Sequence, residues 1–221
     1  MKFKKWLPYA GLFILAIAAG LYAGHRVFAP RHGPRPETAA VLLHEAKPLP
    51  DFALTDTEGK PFTRASLDGH WSLLYFGYTH CPDACPTTLS DLDHMQGHLA
   101  KLAAEKRPKV YFISIDPKRD DLTLLKNYTL YFNPSFTGAT GSVEALRVLT
   151  GPLGVDFTYS PADQKGDYGV SHSTFVLLVD PQGEEVALFS PPQEPARMAA
   201  DYTKILKYYG EQPLCAAPSP C

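Results

Sequence analysis

The chain has 221 residues, 45% of them hydrophobic, with four cysteines and a formal net charge of -2. That is enough chain for one domain with a real core, and it excludes a miniature held together by disulfides alone. Charge is uneven: the first 36 residues hold six Lys and Arg and no acid, whereas the remainder holds 15 basic and 23 acidic residues. Such an acidic body excludes nucleic-acid binding, which needs a basic surface.

Trp6 to Gly24 is a run of 19 uncharged residues preceded by Lys2, Lys4 and Lys5. As a helix it would reach roughly 28 Å, about the hydrocarbon thickness of a bilayer. Trp6, Tyr9 and Tyr22 lie near its ends, where interfacial aromatics belong. The run exceeds the ~7–15 residues of a signal-peptide core, so residues 1–25 are predicted to form an uncleaved transmembrane anchor. The rival is a signal peptide with Ala16-Ile-Ala18 as its cleavage site. The denser basic set before the span leans towards an N-terminus in the cytoplasm. Residues 26–46, with Pro30-Arg-His-Gly-Pro-Arg-Pro36, read as a semi-rigid linker.

The body is predicted over residues 47–209. Asp51–Thr55 and Pro61–Thr63 flank Asp56-Thr-Glu-Gly59 and read as a hairpin. Trp71–Tyr78, nearly all apolar and aromatic, reads as a buried strand. Pro86 then opens a helical pattern with Leu89, Leu92, Met95, Leu99 and Leu102 on one stripe. Lys109–Asp116 is a second buried strand, and Leu122–Phe132 and Val143–Leu149 are helical. Ser173–Val179 is a third strand, turned by Asp180-Pro-Gln-Gly183 into a fourth, Glu185–Phe189, and a helix over Glu194–Tyr209 closes the body. Strands alternating with helices predict a mixed α/β fold, a parallel sheet covered on both faces with an antiparallel hairpin near its end. The tail, residues 210–221, adds Cys215 and Cys221.

Cys81 and Cys85 sit where the first buried strand hands over to a helix. The unpaired N–H groups and positive dipole end of a helix N-terminus favour thiolate over thiol there. A structural disulfide is the plain reading in an exported protein. Regular helical spacing opposes it, since i and i+4 Cβ atoms lie ~5–6 Å apart and a bridge wants ~3.8 Å. Redox exchange and a soft metal remain, and an imidazole added to two sulfurs would suit Cu(II) as well as Cu(I). Of the eight histidines, His94 and His98 form an i,i+4 pair, but both face away from the apolar stripe. His25, His32 and His44 fall in the linker, and His70 at a strand entry. His80 adjoins Cys81 and could lower its pKa if charged. His172 precedes a buried strand, where a histidine hydrogen-bonded in a loop is the plainer reading.

Four blocks carry a resemblance. Tyr75-Phe-Gly-Tyr-Thr-His-Cys-Pro-Asp-Ala-Cys-Pro86 resembles the signature of the SCO/SenC copper chaperones of cytochrome c oxidase assembly. Ser114-Ile-Asp-Pro-Lys-Arg-Asp120, Phe136-Thr-Gly-Ala-Thr-Gly141 and Tyr168-Gly-Val-Ser-His-Ser173 resemble that family's later blocks, in order. The resemblance implies a thioredoxin-like fold with an N-terminal hairpin extension. It implies copper, as Cu(I) and Cu(II), on Cys81, Cys85 and His172. It implies oxidase subunit II as partner, an upstream periplasmic copper chaperone as source, and an anchor in the inner membrane with the body in the periplasm. The family's other activity, keeping that subunit's cysteines reduced, would use Cys81 and Cys85 as a redox pair. Thioredoxin-type oxidoreductases carry two residues between their cysteines and this chain three, and peroxiredoxin-type enzymes place Thr three residues before the cysteine, whereas Thr79 is two before Cys81. Asp116, Arg119 and Asp120 read as a structural turn and helix cap. Asp121-Leu122 stands where the family often has Thr-Pro.

Overall fold

The computed structural model describes residues 34–210, together with Ile17 and Gly20. Most of the expected anchor, and both Cys215 and Cys221, lie outside the described residues, among which no helix is long and apolar enough to cross a membrane. Residues 37–206 form one compact unit.

In chain order the elements are β1 (Val41–Pro48), β2 (Ala53–Asp56), β3 (Pro61–Thr63), β4 (Ser72–Gly77), α1 (Ala84–His98), β5 (Lys109–Ser114) and α2 (Leu122–Phe132). There follow β6 (Thr137–Thr140), α3 (Val143–Thr150), β7 (Phe157–Tyr159), β8 (Val170–His172), β9 (Val176–Val179), β10 (Glu184–Phe189) and α4 (Pro195–Gly210). Among the described residues one eight-stranded sheet runs β1-β10-β9-β4-β5-β6-β2-β3, and β7 and β8 pair separately.

The sheet is mixed. β4, β5 and β6 are parallel, with α1 and α2 as crossovers, while β9 lies antiparallel to β4 on the other side. All residues of β4 and β9 are buried, so both faces of the sheet's centre are covered, as their unbroken apolar runs require. The predicted hairpin appears as β2–β3, with Leu54 opposite Phe62, and Gly59 takes a φ of 75° in its turn, a conformation that favours glycine. Leu89, Leu92 and Met95 of α1 are fully buried, each side chain contributing about 1.5–3 kcal/mol.

Three expectations need correcting. Residues 41–46, read as the end of a linker, belong to β1, which pairs antiparallel with β10 from Val41↔Leu188 to Pro48↔Glu184. The chain is clasped just before that strand. Asp201 of α4, 3% exposed, accepts from the amides of Ala39 and Ala40 at 2.7 and 3.1 Å, and Lys204 donates to the Glu37 carbonyl at 2.8 Å. Second, α1 starts at Ala84, two residues before Pro86. A first-turn N–H has no intrahelical partner, so Pro86 at the third position forfeits nothing. Third, the helix cap at α2 is Asp121, whose side chain accepts from the Leu124 amide at 2.8 Å, and not Asp120.

Candidate metal centre

The cysteine side of the site grows from β4. Its last residue is Gly77, where a Cβ would stand 2.6 Å from the Cys85 sulfur and 2.7 Å from the Phe112 ring, so only glycine leaves the thiol its place. The chain then loops through Cys81 into α1, and Cys85 falls in the first turn. Its amide, one of the helix's unpaired donors, points at the Cys81 sulfur at 3.4 Å. Both thiols are free; Cys81 is half-buried and Cys85 fully buried.

The two sulfurs differ electrostatically. Cys81 is held well below the ordinary thiol range. The Cys85 thiol hydrogen-bonding to it is the largest cause, burial opposes, and His172 and the amides of Asp83 and Cys85 add to the lowering. Cys85 is pushed up by that same neighbour and by burial. Cys81 is therefore the more acidic of the two, with Cys85 as its donor. The Tyr75 hydroxyl, buried beneath, donates towards Cys85 at 3.7 Å.

His172 arrives from elsewhere. It ends β8, opposite Phe157 of β7. Its Nδ1 lies 2.8 Å from the Ser173 carbonyl, which can only accept, so Nδ1 donates there and Nε2 is the nitrogen turned towards the sulfurs. That nitrogen lies 3.6 Å from the Cys85 sulfur. The ring stands edge-on to Tyr78 at 5.8 Å and to Tyr75 at 6.4 Å. The ligand atoms of Cys81, Cys85 and His172 all lie within 4.8 Å of one another. Two thiol sulfurs and one oriented imidazole make a donor set for a soft cation such as Cu(I), with the nitrogen that Cu(II) prefers.

Among the described residues, the other histidines do not join. His80 sits 3.0 Å from the Thr79 hydroxyl and 3.6 Å from Asp120, and it is not among the causes that lower Cys81. His94 and His98 are exposed on α1, His44 lies in β1, and His70 bonds to Tyr111 and the Asp68 carbonyl. Sequence reading missed the two tyrosines that pack on His172 and the reach of the 116–120 turn. Asp120 accepts from the Thr79 amide and hydroxyl at 2.9 and 2.6 Å. Arg119 spans to the Tyr168 carbonyl at 2.9 Å. The signal was present, since both blocks were legible as motifs, but not which side chains would meet.

The SCO1/SenC family model matches residues 43–207. The chain belongs to that family. A putative copper-binding protein of Stutzerimonas stutzeri is 38% identical over 175 residues, 78% of this chain and 82% of its own. The mitochondrial SCO2 homolog of Danio rerio is 35% identical over 72% of this chain, and the match spans only 57% of that longer protein. Among solved structures, Bradyrhizobium japonicum ScoI with copper bound superposes with a TM-score of 0.64 at 34% identity, covering 73% of this chain and 99% of that one. The SCO1/SenC chain thus has the mixed α/β, thioredoxin-like fold of its family.

Proposed function

We propose that this protein carries copper on Cys81, Cys85 and His172 and delivers it to the dinuclear copper site of cytochrome c oxidase subunit II. The observation that carries the reading is the convergence of two sulfurs and an imidazole nitrogen within 4.8 Å, from segments about 90 residues apart. The copper bound by the Bradyrhizobium relative, and the description of the Stutzerimonas one, support copper as the cargo. Cu(I) would be held by the two thiolates, with His172 as third ligand, and Cu(II) would depend on the imidazole more strongly. Half-buried Cys81 is the ligand an acceptor thiolate can reach, so exchange would begin there, while Cys85 keeps hold from below. An upstream periplasmic copper chaperone would load the site. Residues 1–25 would anchor the protein in the inner membrane with the body in the periplasm.

Metal analysis of the reduced full-length protein tests this. One copper per chain is expected, with a sulfur-to-copper charge-transfer band for Cu(II) that Cys81→Ser or Cys85→Ser abolishes. Stoichiometric zinc with no preference for copper overturns the assignment. For the anchor, reporter fusions after residue 40 should be active only outside the cytoplasm, and the mature protein should retain Met1–Gly24. A soluble product starting near Ala19 would show a cleaved signal peptide instead.

The acidity of Cys81 favours a second reading, a reductase of the subunit's cysteines. Cys81 thiolate would attack the partner's disulfide to give a mixed disulfide. Cys85 would then lose its proton and attack Cys81, releasing the partner as a dithiol and leaving Cys81–Cys85 oxidised. That cycle makes no direct use of His172, which touches it only by helping to lower Cys81. A His172→Ala variant that binds no Cu(II), yet supports full oxidase assembly at low copper, would establish the reductase.

A further inference from the structure

The segments that bear the ligands share no strand pairing. The cysteines hang from β4 in the main sheet, and His172 lies on the separate β7–β8 ribbon. Their ligand atoms come within 4.8 Å, and the one ladder near them, Val176 of β9 on Tyr75 of β4, reaches His172 only through the link 173–175, so side-chain bonds must fix what that link leaves open. Resting on the copper reading above, we infer that the turn 116–120 sets the distance between the thiols and His172, with Asp120 gripping the cysteine loop and Asp116 with Arg119 gripping the ribbon.

The turn is bonded within itself. The amides of Arg119 and Asp120 both donate to the Asp116 carbonyl, at 3.1 and 3.0 Å, and the Asp116 amide donates to the Ser114 hydroxyl at 3.1 Å. On one side, Asp120 accepts from Ser114 at 2.6 Å and from both the amide and the hydroxyl of Thr79, two residues before Cys81. On the other side, Asp116 accepts from Arg119 Nε and from the Tyr168 hydroxyl, each at 2.6 Å. The guanidinium carbon lies over the Tyr168 ring, 3.7 Å from its centroid, and the group donates to the Tyr168 carbonyl. A third tie runs from the Tyr159 hydroxyl of β7 to the Ile115 carbonyl. Between the two arms stands Tyr78, its ring 5.6 Å from the Arg119 guanidinium and 5.8 Å from the His172 ring.

Burial sharpens the argument. Asp116 and Asp120 are 0% and 1% exposed. Two carboxylates buried in one turn are costly unless every lone pair is used. Neither caps α2, which Asp121 does, and their side chains instead bond the segments flanking the ligands. Lysine could not replace Arg119, since it has neither the flat face that stacks nor the fork that bonds Asp116 and Tyr168 together.

Full-length Arg119→Ala, Arg119→Lys, Tyr168→Phe and Asp120→Asn, with His172→Ala as reference, test the assignment in two ways. Without copper, amide hydrogen exchange over residues 168–173 should quicken at least about tenfold in Arg119→Ala and less in Tyr168→Phe. In Asp120→Asn the quickening should fall on residues 78–81. With copper, Arg119→Ala and Arg119→Lys should weaken Cu(II) by about 10–100-fold, the usual effect of removing a group that orients a ligand, and shift its spectrum towards that of His172→Ala. Asp120→Asn should keep the imidazole signature and change the alkylation rate of Cys81. Should Arg119→Ala fail to fold, Tyr168→Phe, which keeps the ring and loses one hydrogen bond, decides. Wild-type exchange over 168–173 together with a wild-type Cu(II) spectrum in the folded variants overturns the inference. A wild-type protein that binds no copper overturns the copper reading alone, and the exchange measurement still judges the clasp.

Discussion

Cys85 and His172 lie 3.6 Å apart, yet the pieces of chain that carry them are made differently. β4 is laddered on both sides, to β5 and β9, and every residue in it is buried. The β7–β8 ribbon is three residues on each strand, pairs among the described residues only with itself, and exposes Thr158 and Ser171. One half of the site therefore inherits the stability of the core, and the other hangs from it by the link 173–175 to β9 and by side-chain bonds. Ligands from both can still meet, but they should fail differently.

The largest effect should come from the cysteine side. Phe112→Ala removes a fully buried ring beneath Gly77 and should cost about 3–5 kcal/mol in denaturant unfolding, carrying the copper site down with the fold. Gly77→Ala adds one methyl against the Cys85 sulfur and should cost about 1–3 kcal/mol. Its sharper reading is the metal: with no ligand altered, copper should still bind more weakly, and normal affinity would show that Cys85 can move aside.

A third variant asks how the main sheet behaves away from the ribbon. Asp180, in the β9–β10 turn, accepts from the amides of Gln182 and Glu184 at 2.9 Å each, and burial pushes its carboxyl up to about 6. The unfolded value is about 3.9, so the folded chain holds this proton more tightly; that stability is full below about pH 4 and lost as pH rises through 6. Asp180→Asn keeps the accepting oxygen and should remove this slope, gaining on the order of 1 kcal/mol at pH 8 and nothing at pH 4. Parallel slopes of the urea midpoint for variant and wild type would refute it.

The smallest effect on stability should come from the ribbon itself. His172→Ala should cost less than about 1 kcal/mol, because the side chain lines a site and fills no core. Its effect on the metal should be large: stable Cu(II) lost and Cu(I) weakened, with dithiol and disulfide still interconverting. Unchanged Cu(II) binding would reduce His172 to a loop histidine and end the comparison.

The same division decided what could be read from residues alone. β4, α1 and β5 announce themselves as long apolar runs or stripes, and the two cysteines fall at their junction. β1 does not, because Val41–Pro48 is an edge strand whose residues are all half-buried or exposed, and it carries His44, Glu45 and Lys47. β7 and β8 are too short for any periodicity, and ten mostly polar residues part them. His172 was legible as a ligand only through its motif's resemblance; its own neighbours suggested a loop. Asp120 and Asp121 are alike in sequence, and which one caps α2 depends on the direction of a side chain, which no pattern records.

The clasp ahead of β1 has a mechanical consequence. If the chain is tethered on its N-terminal side, any pull enters the body at residues 37–40. There it meets the Asp201 carboxylate on two amides and Lys204 on the Glu37 carbonyl, and so it is passed to α4 and β1. Two strands, β10 and β9, stand between β1 and β4. Load from a tether would thus be taken up on the far edge of the sheet, and those contacts would have to tear before the strand that leads to the thiols felt any tension.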